Sequence, residues 1–385
     1  MTSALNVALV GGGAIAKAHA AALRLVSLYF PDVPPLRPRL LCEATEELAR
    51  AATARLGFEE GVVGWEDAVR RTDIDAVIVA TPPDLHHDVA IAAIAAGKHV
   101  LCEKPLARTA EDAADMLEAA DQAGVVALVG FNLRYAPALL QARKMMDERA
   151  CGEIHHVSGR YFQDFARDPA RPISWRYQAA RGGSGALADI GSHLLDCARS
   201  LAGEITSVSG MRRTVVAERP TADGASARVD VDDYAAVLAR FDSGALGTFE
   251  VSRVATGRKN QLALEIDGSE GSLVFDWELS NELRYFSSHD APDRQGFRRI
   301  VAGPAFPVYP APLPVSGVGV GFLETMVVQA AELSRAISSG GPAPTVATFR
   351  DGLRACQIVD AVLRSIADGR WVDVPAPVTS PIGGR

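Results

Sequence analysis

Short apolar runs alternate with amphipathic, alanine-rich stretches over about the first 130 residues of the chain. Each run is apolar on both faces, as is typical of strands in a parallel sheet that helices cover on both sides. The predicted strands span residues 7–10, 39–42, 76–80, 99–102 and 125–129. This alternation predicts an α/β domain with a doubly wound parallel sheet, in which ligands bind beyond the carboxyl ends of the strands.

The pattern changes after residue 150, where predicted strands follow one another with short turns between them. These strands span residues 154–163, 207–216, 234–241, 245–251, 262–266 and 272–275. Turn sequences such as Asp267-Gly268 separate several of them and favour antiparallel hairpins. We therefore expect a second, α+β domain with a large open, mostly antiparallel sheet.

The chain of 385 residues exceeds the size at which a single core usually stops growing, which favours two domains. The proline- and glycine-rich residues 301–320 predict a long loop, which is either a surface excursion or a lid or oligomer contact. Amphipathic helices near 321–338 and 349–367 are expected to close the second domain. The expected divisions are a first domain at 1–131, a second domain at 132–374 and a disordered tail at 375–385.

Composition narrows the class of protein. Hydrophobic residues make up 48% of the chain and charged residues 22%, and no apolar stretch is long enough to span a bilayer. The N-terminus carries no basic segment before an apolar signal core, so we expect a cytoplasmic protein. A net charge of −8 disfavours nucleic acid as a partner. The five cysteines are scattered and odd in number, which predicts reduced thiols without a disulfide or a metal site.

The first predicted strand runs directly into a glycine turn and a helix. Gly11 permits the tight turn, and Gly13 lets the backbone approach a pyrophosphate. Ala16 takes the third small position, where helix and strand pack closely. The helix N-terminus, entered through Ala14 and Ile15, offers unpaired N–H donors to the anion. A lone motif of this kind is weak, but the strand before it and the helix after it favour a dinucleotide site.

Glu43 follows the second predicted strand. A carboxylate there can accept hydrogen bonds from the adenosine ribose hydroxyls and repels a 2′-phosphate, which favours NAD over NADP. Its distance from Gly13 exceeds the usual ~20 residues because residues 29–38, with four prolines, look like an insertion. Arg37 and Arg39 are close enough in sequence to support NADP instead. Alternatively, Glu43 is an ordinary exposed acid at the start of a helix.

Polar segments follow the strands predicted at 76–80 and 99–102, at the edge of the sheet where ligands bind. These segments are Thr81-Pro82-Pro83-Asp84-Leu85-His86 and Glu103-Lys104-Pro105. The ammonium of Lys104, next to a rigid proline, can polarise a substrate hydroxyl and stabilise the alkoxide that forms during oxidation. The alternative is that Lys104 is an ion-paired surface residue.

A glycine-rich turn opens a predicted helix at 185–196. Its buried stripe consists of Leu187, Ile190, Leu194, Cys197 and Leu201. Asp189, His193 and Asp196 line an adjacent face at i, i+4 and i+7. A histidine one turn from a carboxylate can act as a general base near neutral pH, while the carboxylate orients it or holds the substrate. A lone helical histidine is more often structural, which is the alternative here.

These motifs together resemble the glucose–fructose oxidoreductase, inositol dehydrogenase and rhizopine catabolism family, Gfo/Idh/MocA. The resembling residues are the glycine turn, Thr81-Pro82-Pro83-x-x-His86, Glu103-Lys104-Pro105 and Asp189-x-x-x-His193. The resemblance implies a Rossmann domain followed by a domain with an open sheet, and joint action of Lys104, Asp189 and His193, with His193 as the general base. The resemblance also implies contacts with the cofactor. Including the glycine turn and Glu43 described above, the expected cofactor contacts are Gly11, Gly13, Ala14, Ile15, Glu43, Thr81, Pro82, Pro83, His86, Glu103, Lys104, Asn132, Trp175 and Arg176.

Within the family, further segments resemble the levoglucosan dehydrogenase group. They are the insertion before Glu43, Tyr161-Phe162-Gln163-Asp164-Phe165, Ser174-Trp175-Arg176-Tyr177, Val231-Asp232-Asp233 and Gly296-Phe297-Arg298. This likeness implies oxidation of a ring hydroxyl of a sugar or sugar anhydride, at C3. The chain departs from the group at Phe131-Asn132-Leu133-Arg134-Tyr135, where an aromatic residue usually follows the asparagine.

The same likeness places Trp175 and Arg176 against the nicotinamide end of the cofactor. It places Asn132, Arg134, Gln163 and Asp164 near the sugar. In a regular strand Tyr161 and Gln163 share one face while Phe162 and Asp164 share the other, so we favour Tyr161 and Gln163. Their alternative role is as satisfied polar groups of the sheet. The implied substrate contacts are Lys104, Arg134, Tyr161, Gln163, Asp189 and His193.

The sequence therefore predicts an NAD-dependent dehydrogenase that acts on a sugar, anhydrosugar or related polyol. Two alternatives remain: a glycoside hydrolase that retains NAD and oxidises the sugar transiently, and a catalytically silent NAD-sensing regulator. The exposed face of an open sheet further predicts a homodimer or homotetramer. No membrane or nucleic-acid partner is expected.

Overall fold

The computed structural model describes residues 3–310 and 313–378, so the tail predicted at 375–385 lies outside the described residues from 379 onward. The described chain forms two large sheets with helices packed on them, which we call the first sheet and the second sheet, and one small hairpin. No helix and no strand occurs at 302–310 or 313–320, the described part of the predicted loop. Among the described residues, no helix is both long and apolar enough to cross a membrane.

The first sheet is parallel and has the strand order β3-β2-β1-β4-β5-β6, which is the order of a Rossmann fold. Its strands are β1 (Leu5–Val10), β2 (Leu36–Glu43), β3 (Glu60–Val63), β4 (Ala76–Val79), β5 (His99–Cys102) and β6 (Ala127–Val129). The helices in this part of the chain are α1 (Ala16–Tyr29), α2 (Glu46–Leu56), α3 (Trp65–Ala68), α4 (His86–Ala95), α5 (Ala110–Ala123) and α6 (Pro137–Asp147). The predicted doubly wound α/β sheet is therefore confirmed.

Helices cover the first sheet on both faces, as its apolar runs require. Val7 and Leu9 of β1 pack into one apolar cluster, which includes residues of α1. Ala8 and Val10, which alternate with them, pack into a second cluster with residues of α4 and α5. Side chains that follow the carboxyl ends of these strands are thereby brought to a single edge of the sheet.

The second sheet has the order β16-β15-β14-β13-β7-β12-β11-β8-β17. Its strands, with the separate hairpin of β9 and β10, are β7 (Ile154–Phe162), β8 (Ile205–Arg213), β9 (Glu218–Pro220), β10 (Ser226–Arg228), β11 (Tyr234–Phe241), β12 (Leu246–Ser252), β13 (Gln261–Gly268), β14 (Gly271–Asp276), β15 (Glu282–Ser287), β16 (Arg298–Val301) and β17 (Val372–Asp373). The β7–β12 pair is parallel and the other pairs are antiparallel, so the predicted mostly antiparallel sheet is confirmed.

One face of the second sheet is covered and the other is open. The remaining helices are α7 (Ala179–Gly182), α8 (Ser192–Ala202), α9 (Phe322–Ser339) and α10 (Phe349–Asp368). Residues of α6, α8 and α10 share an apolar core with the inward side chains of the sheet. On the opposite face Met211, Leu238 and Leu246 are exposed.

The prediction that both C-terminal helices close the second domain is wrong for α9. Met326, Val327 and Ala330 of α9 belong to the apolar cluster that contains Val7 and Leu9 of the first sheet. The start of α10 also contacts the first sheet, because Phe349 packs into the apolar cluster on the face that α4 and α5 cover. Helix α9, late in the chain, thus packs against β1 and α1 near its start. The divisions at 131 and 374 stay predictions.

Candidate active site

The glycine turn after β1 has the shape that the sequence predicts. Gly11 has φ +99°, and a Cβ there would lie 2.7 Å from the carbonyl oxygen of Ala80, so the position requires glycine. No atom lies within 4 Å of the place where a Cβ of Gly13 would stand. The turn, with Ala14 and Ile15, leads directly into α1, which begins at Ala16. Open space beside a helix N-terminus fits the pyrophosphate of a dinucleotide.

Glu43, at the end of β2, lies against this turn. The backbone N–H of Gly12 donates a 2.7 Å hydrogen bond to its Oε1. Glu43 is not the acid of a helix start, because Thr45 caps α2. Arg37 and Arg39, which would favour NADP if they reached the ribose, lie at the other end of β2. Arg37 pairs with Glu59, and Arg39 pairs with Glu59, Glu60 and Asp73.

The loop after β4 is held in place by contacts with the ring of His86. The buried ring of His86 has Nδ1 2.9 Å from the carbonyl oxygen of Pro105 and Nε2 3.0 Å from that of Thr81. Burial lowers the pKa of His86 despite these contacts. The ring joins the two loops that follow β4 and β5, and the contact of His86 with the cofactor stays a prediction. The hydroxyl of Thr81 is buried and lacks a hydrogen-bond partner within the described residues, and Pro82 and Pro83 follow it in the same loop.

Glu103 and Asn132 also direct their side chains into the protein. Oε1 of Glu103 lies 2.8 Å from Nε2 of His19 on α1. Burial raises the pKa of Glu103, but His19 and Lys104 lower it by more, so its pKa is below the usual value. The amide nitrogen of Asn132 donates a 2.8 Å hydrogen bond to Thr325 on α9. Both side chains therefore join elements of the fold, and their contact with the cofactor stays a prediction.

Lys104, directly after Glu103, crosses to the second half of the chain. Its Nζ donates to the backbone oxygen of Asp189 at 2.6 Å and to Oδ1 of Asp189 at 3.2 Å. Lys104 is ion-paired, but with 18% of its side chain exposed it is not a surface residue. The contact joins the ligand edge of the first sheet to a segment that packs on the second sheet.

Asp189 lies in a π-helical turn, Leu187–Gly191, that leads into α8. Asp232 fixes the start of this turn, because its carboxylate accepts hydrogen bonds from the N–H groups of Gly185 and Leu187 at 2.9 and 2.8 Å. A Cβ on Gly185 would lie 1.7 Å from the carbonyl oxygen of Asp232, so this position also requires glycine. The helix predicted at 185–196 is present, but its first turn is a π-helix, which is wider than an α-helical turn.

Three cations surround the Asp189 carboxylate. Besides Lys104, Nη1 of Arg253 lies 3.7 Å and Nε of Arg176 lies 3.9 Å from Oδ2. Burial raises the pKa of Asp189, but Lys104, Arg253 and Arg176 outweigh this effect and hold it at about 2. Asp189 is therefore an anion throughout the physiological range.

His193 lies one turn further along, between the rings of Phe131 and Tyr161, whose centroids are 5.7 and 6.4 Å from its own. Its Nδ1 is buried and has no hydrogen-bond partner in the described chain. Burial, and then the Lys104 ammonium, lower the pKa of His193 well below 6.5, although Asp189 acts in the opposite direction. The imidazole is therefore neutral and available to accept a proton. Asp189 pairs with Lys104 rather than orienting this ring by a hydrogen bond.

Arg134 and Asp196 belong to a different, buried ion-pair cluster. The guanidinium of Arg134 forms two hydrogen bonds with Asp196 and one of 2.9 Å with Asp351 of α10. Arg199 also pairs with Asp351. Asp196 therefore pairs within this cluster and not with the groups around Asp189. Carboxylates of the protein pair with the Arg134 guanidinium, and its contact with the substrate stays a prediction.

Tyr161 and Gln163 share one face, as strand alternation predicts. The Tyr161 hydroxyl donates a 2.9 Å hydrogen bond to Oδ1 of Asn260, and the Gln163 amide donates to the same oxygen. Asp164 accepts a 2.7 Å hydrogen bond from Lys259. Trp175 stacks under the guanidinium of Arg176, 4.1 Å from the ring centroid.

Arg253 and Asn260 are site residues that the sequence analysis did not identify. Asn260 precedes β13 in a polar stretch with no visible motif. Arg253 follows β12 in a mixed stretch, Val251-Ser252-Arg253-Val254, that also contains no recognisable motif.

The residues present fit a dinucleotide such as NAD. The turn at Gly13 is open, the Glu43 carboxylate stands where a ribose diol can bind, and the buried Thr81 hydroxyl is left without a partner inside the described protein. Lys104 and His193 lie next to this edge of the first sheet.

Comparison with known proteins agrees with this geometry. Residues 5–131 match the family model of the oxidoreductase family with an NAD-binding Rossmann fold, and residues 139–274 match the GFO/IDH/MocA C-terminal domain. The chain is 41% identical to levoglucosan dehydrogenase of Pseudarthrobacter phenanthrenivorans over 96% of this chain and 98% of that protein. It is 34% identical to scyllo-inositol 2-dehydrogenase (NAD(+)) of Bacillus subtilis over 59% of this chain and 61% of that one.

A solved structure extends the likeness to three dimensions. Levoglucosan dehydrogenase in complex with NADH and levoglucosan matches with a TM-score of 0.94 and 41% identity, covering 97% of this chain and 100% of that chain. The chain belongs to the GFO/IDH/MocA family of oxidoreductases, and its cofactor is NAD.

Proposed function

We propose that this protein oxidises a ring hydroxyl, at C3, of a sugar, anhydrosugar or related polyol. The observation that carries the proposal is the contact of Lys104 with Asp189 beside a neutral His193. The names of two relatives, levoglucosan dehydrogenase and scyllo-inositol 2-dehydrogenase, support this class of substrate. Bound NAD supplies the acceptor for the hydride that leaves the carbinol carbon.

The protein's own residues manage the proton and the charge. The substrate hydroxyl gives its proton to the His193 imidazole, and the oxygen becomes the carbonyl oxygen of the product. Lys104 donates a hydrogen bond to that oxygen while negative charge develops on it. Asp189 holds the ammonium in place at 2.6 and 3.2 Å from its backbone and carboxylate oxygens. Tyr161 and Gln163 form the wall that contacts the remaining hydroxyls, and Arg176 and Trp175 lie at the nicotinamide end.

A substrate panel tests the proposal. Sugars, anhydrosugars and inositols are each incubated with NAD, and the absorbance of NADH and the appearance of a ketone are followed together. We expect the two products in equal amounts with at least one member of the panel. Release of a free sugar from a glycoside without net NADH would instead favour the hydrolase, and no turnover with any compound would contradict the proposal.

The depressed pKa of His193 gives an expected pH dependence. Because a base must be unprotonated, kcat/KM for oxidation should stay high as the pH falls through 6.5 and decline only below it. Replacing Lys104 by methionine removes a neighbouring cation, which favours the imidazolium and raises the pKa of His193. Imidazole C–H resonances followed by NMR measure this shift without requiring activity. Lys144→Met, on the surface of α6, should leave the His193 resonance unchanged.

Glu43 is expected to set the preference for NAD. Glu43→Gln keeps an acceptor for the Gly12 N–H but removes the negative charge, so kcat/KM with NADP relative to NAD should rise about tenfold. Initial rates with both cofactors measure this ratio. Glu46→Gln, in the first turn of α2, is the matched control, and an unchanged ratio in Glu43→Gln would show that the carboxylate does not face the ribose.

We further propose that the open face of the second sheet is buried in a homodimer or homotetramer. Leu238 of β11, Met211 of β8 and Leu246 of β12 are 50%, 65% and 55% exposed on neighbouring strands. Leu238→Lys should lower the molar mass measured by light scattering to that of a smaller assembly. Leu28→Lys, on α1, is the control, since Leu28 is also exposed. A monomeric wild-type protein at micromolar concentration would contradict this proposal.

A further inference from the structure

A buried arginine, Arg253, lies behind the Asp189 carboxylate. It follows β12, is 0% exposed, and has Nη1 3.7 Å from the carboxylate oxygen Oδ2, whereas Lys104 contacts the other oxygen, Oδ1. Nη1 also donates a 3.0 Å hydrogen bond to the backbone oxygen of Arg176, and Nη2 donates one of 3.1 Å to that of Asp232. One guanidinium therefore contacts Asp189 and the two segments that frame it.

The position of this charge is fixed by the backbone. Arg176 belongs to the turn that carries Trp175, and Asp232 caps the π-helical turn that carries Asp189. A guanidinium is planar and stays protonated at any pH the protein experiences, so Arg253 provides a permanent cation in one place. Lys104, by contrast, has a flexible side chain with three donors, one of which the proposed reaction directs to the substrate oxygen.

Asp189 faces charged or titratable groups on every element around it. They are Lys104 after β5, Arg176 in the 3₁₀ turn, Arg253 after β12, His193 on α8 and Tyr161 on β7. Arg253 in turn faces Asp233, whose Oδ1 is 3.9 Å from Nη2. When Lys104 turns part of its hydrogen bonding to the substrate, Asp189 still requires a cation nearby, because an uncompensated carboxylate is costly at a largely buried position.

We propose that Arg253 is a positioning residue: it holds the Asp189 carboxylate ionised and in place, so that Asp189 in turn holds Lys104 on the reacting oxygen. This inference rests on the proposed function, because it assigns Arg253 a part in the same reaction. Arg253 touches neither substrate nor cofactor in this role. Its effect on catalysis passes entirely through Asp189.

The chain offers a matched control in Arg219. Arg219 is 1% exposed and lies over the ring of Tyr177, which Arg253 also contacts; the two guanidinium carbons are 4.1 and 5.3 Å from the ring centroid. Arg219 donates to the backbone oxygens of Ala166 and Asp168. The two arginines therefore share burial, an aromatic contact and backbone partners, but the contact with Asp189 belongs to Arg253.

The experiment compares full-length wild type with Arg253→Met, Arg253→Lys and Arg219→Met. We expect Arg253→Met to lower kcat about tenfold or more, with NADH binding, measured by fluorescence, changed by less than about twofold. The isotope effect on kcat with substrate deuterated at the reacting carbon should increase, because poor positioning slows the hydride step itself. Arg253→Lys keeps the cation and should recover much of the lost kcat, whereas Arg219→Met should leave the isotope effect at the wild-type value.

Thermal unfolding of the protein without added cofactor provides a second readout. Each methionine variant is also made in an Asp189→Asn background. Arg253→Met should lower the Tm more in the presence of Asp189 than in its absence, and Arg219→Met should lower it equally in both. This comparison also decides the question if Arg253→Met is too unstable for kinetics, because it requires only thermal unfolding.

The outcomes separate this inference from the proposed function. Equal isotope effects in Arg253→Met and Arg219→Met would overturn the inference, as would an Arg253→Lys variant no better than Arg253→Met. Equal losses of Tm by Arg253→Met in the two backgrounds would also overturn it. A wild type that oxidises no polyol would refute the proposed function, and the unfolding comparison would still decide whether Arg253 acts on Asp189.

Discussion

Replacing Lys104 by methionine is expected to lower kcat for polyol oxidation about a thousandfold. The methionine side chain has a similar length and fills the space at the contact with Asp189, but it can donate no hydrogen bond to the oxygen on which charge develops. The loss should fall on kcat rather than on cofactor affinity, because the glycine turn and Glu43 are untouched. Steady-state rates with the best substrate of the panel and fluorescence titration with NADH separate the two effects.

Lys259→Met provides the control for this loss. The Lys259 side chain is 77% exposed and pairs with Asp164. Its removal should change kcat by less than about twofold. If Lys104→Met kept more than a tenth of the wild-type kcat, the assignment of Lys104 to the reacting oxygen would be wrong.

Arg134→Met is expected to lower the free energy of unfolding by about 3–5 kcal/mol. It removes the cation that pairs with the fully buried Asp196 and with Asp351, so two carboxylates lose a partner at once. Burial alone raises the pKa of Asp196, and without Arg134 its ionised form would be more costly still. Chemical denaturation followed by circular dichroism measures the change in the unfolding midpoint.

Arg143→Met is the matched control for Arg134→Met. Arg143 lies on α6, is 44% exposed and pairs with Asp147 one turn away. An exposed pair of this kind contributes at most about 1 kcal/mol. Similar losses of stability in the two variants would mean that the cluster around Arg134 does not behave as a buried one.

The elements that the sequence predicted well are those whose pattern is local. The strand at His99–Cys102 was predicted with its observed bounds because an uninterrupted apolar run ends at a charged motif. β3, Glu60–Val63, was missed because it contains a glycine and exposes every second residue. The bounds of α9 were predicted within one residue, but not its place, since an amphipathic stripe shows that a helix must be covered and does not show by which sheet.

The same limit applies to the site. Joint action of Lys104 and Asp189 was expected from the family resemblance, which depends on a local motif around each residue, and the structure brings the two side chains into contact. Arg134 was expected near the substrate from the family resemblance alone, and its pairing with Asp351, 217 residues away along the chain, is beyond the reach of any spacing rule. The contact of the His86 ring with the carbonyl of Pro105 could not be foreseen for a similar reason, because that carbonyl belongs to the loop after the next strand.

The packing of α9 on the first sheet affects how the protein is made. Met326, Val327 and Ala330 cover apolar side chains of β1 that emerge from the ribosome about 320 residues earlier. At translation rates of ~5–20 residues per second, roughly 10–40 s pass between the synthesis of β6, the last strand of the first sheet, and the synthesis of α9, which covers that sheet. During that interval it exposes an apolar stripe, which makes the nascent chain a natural client for chaperones that bind such surfaces.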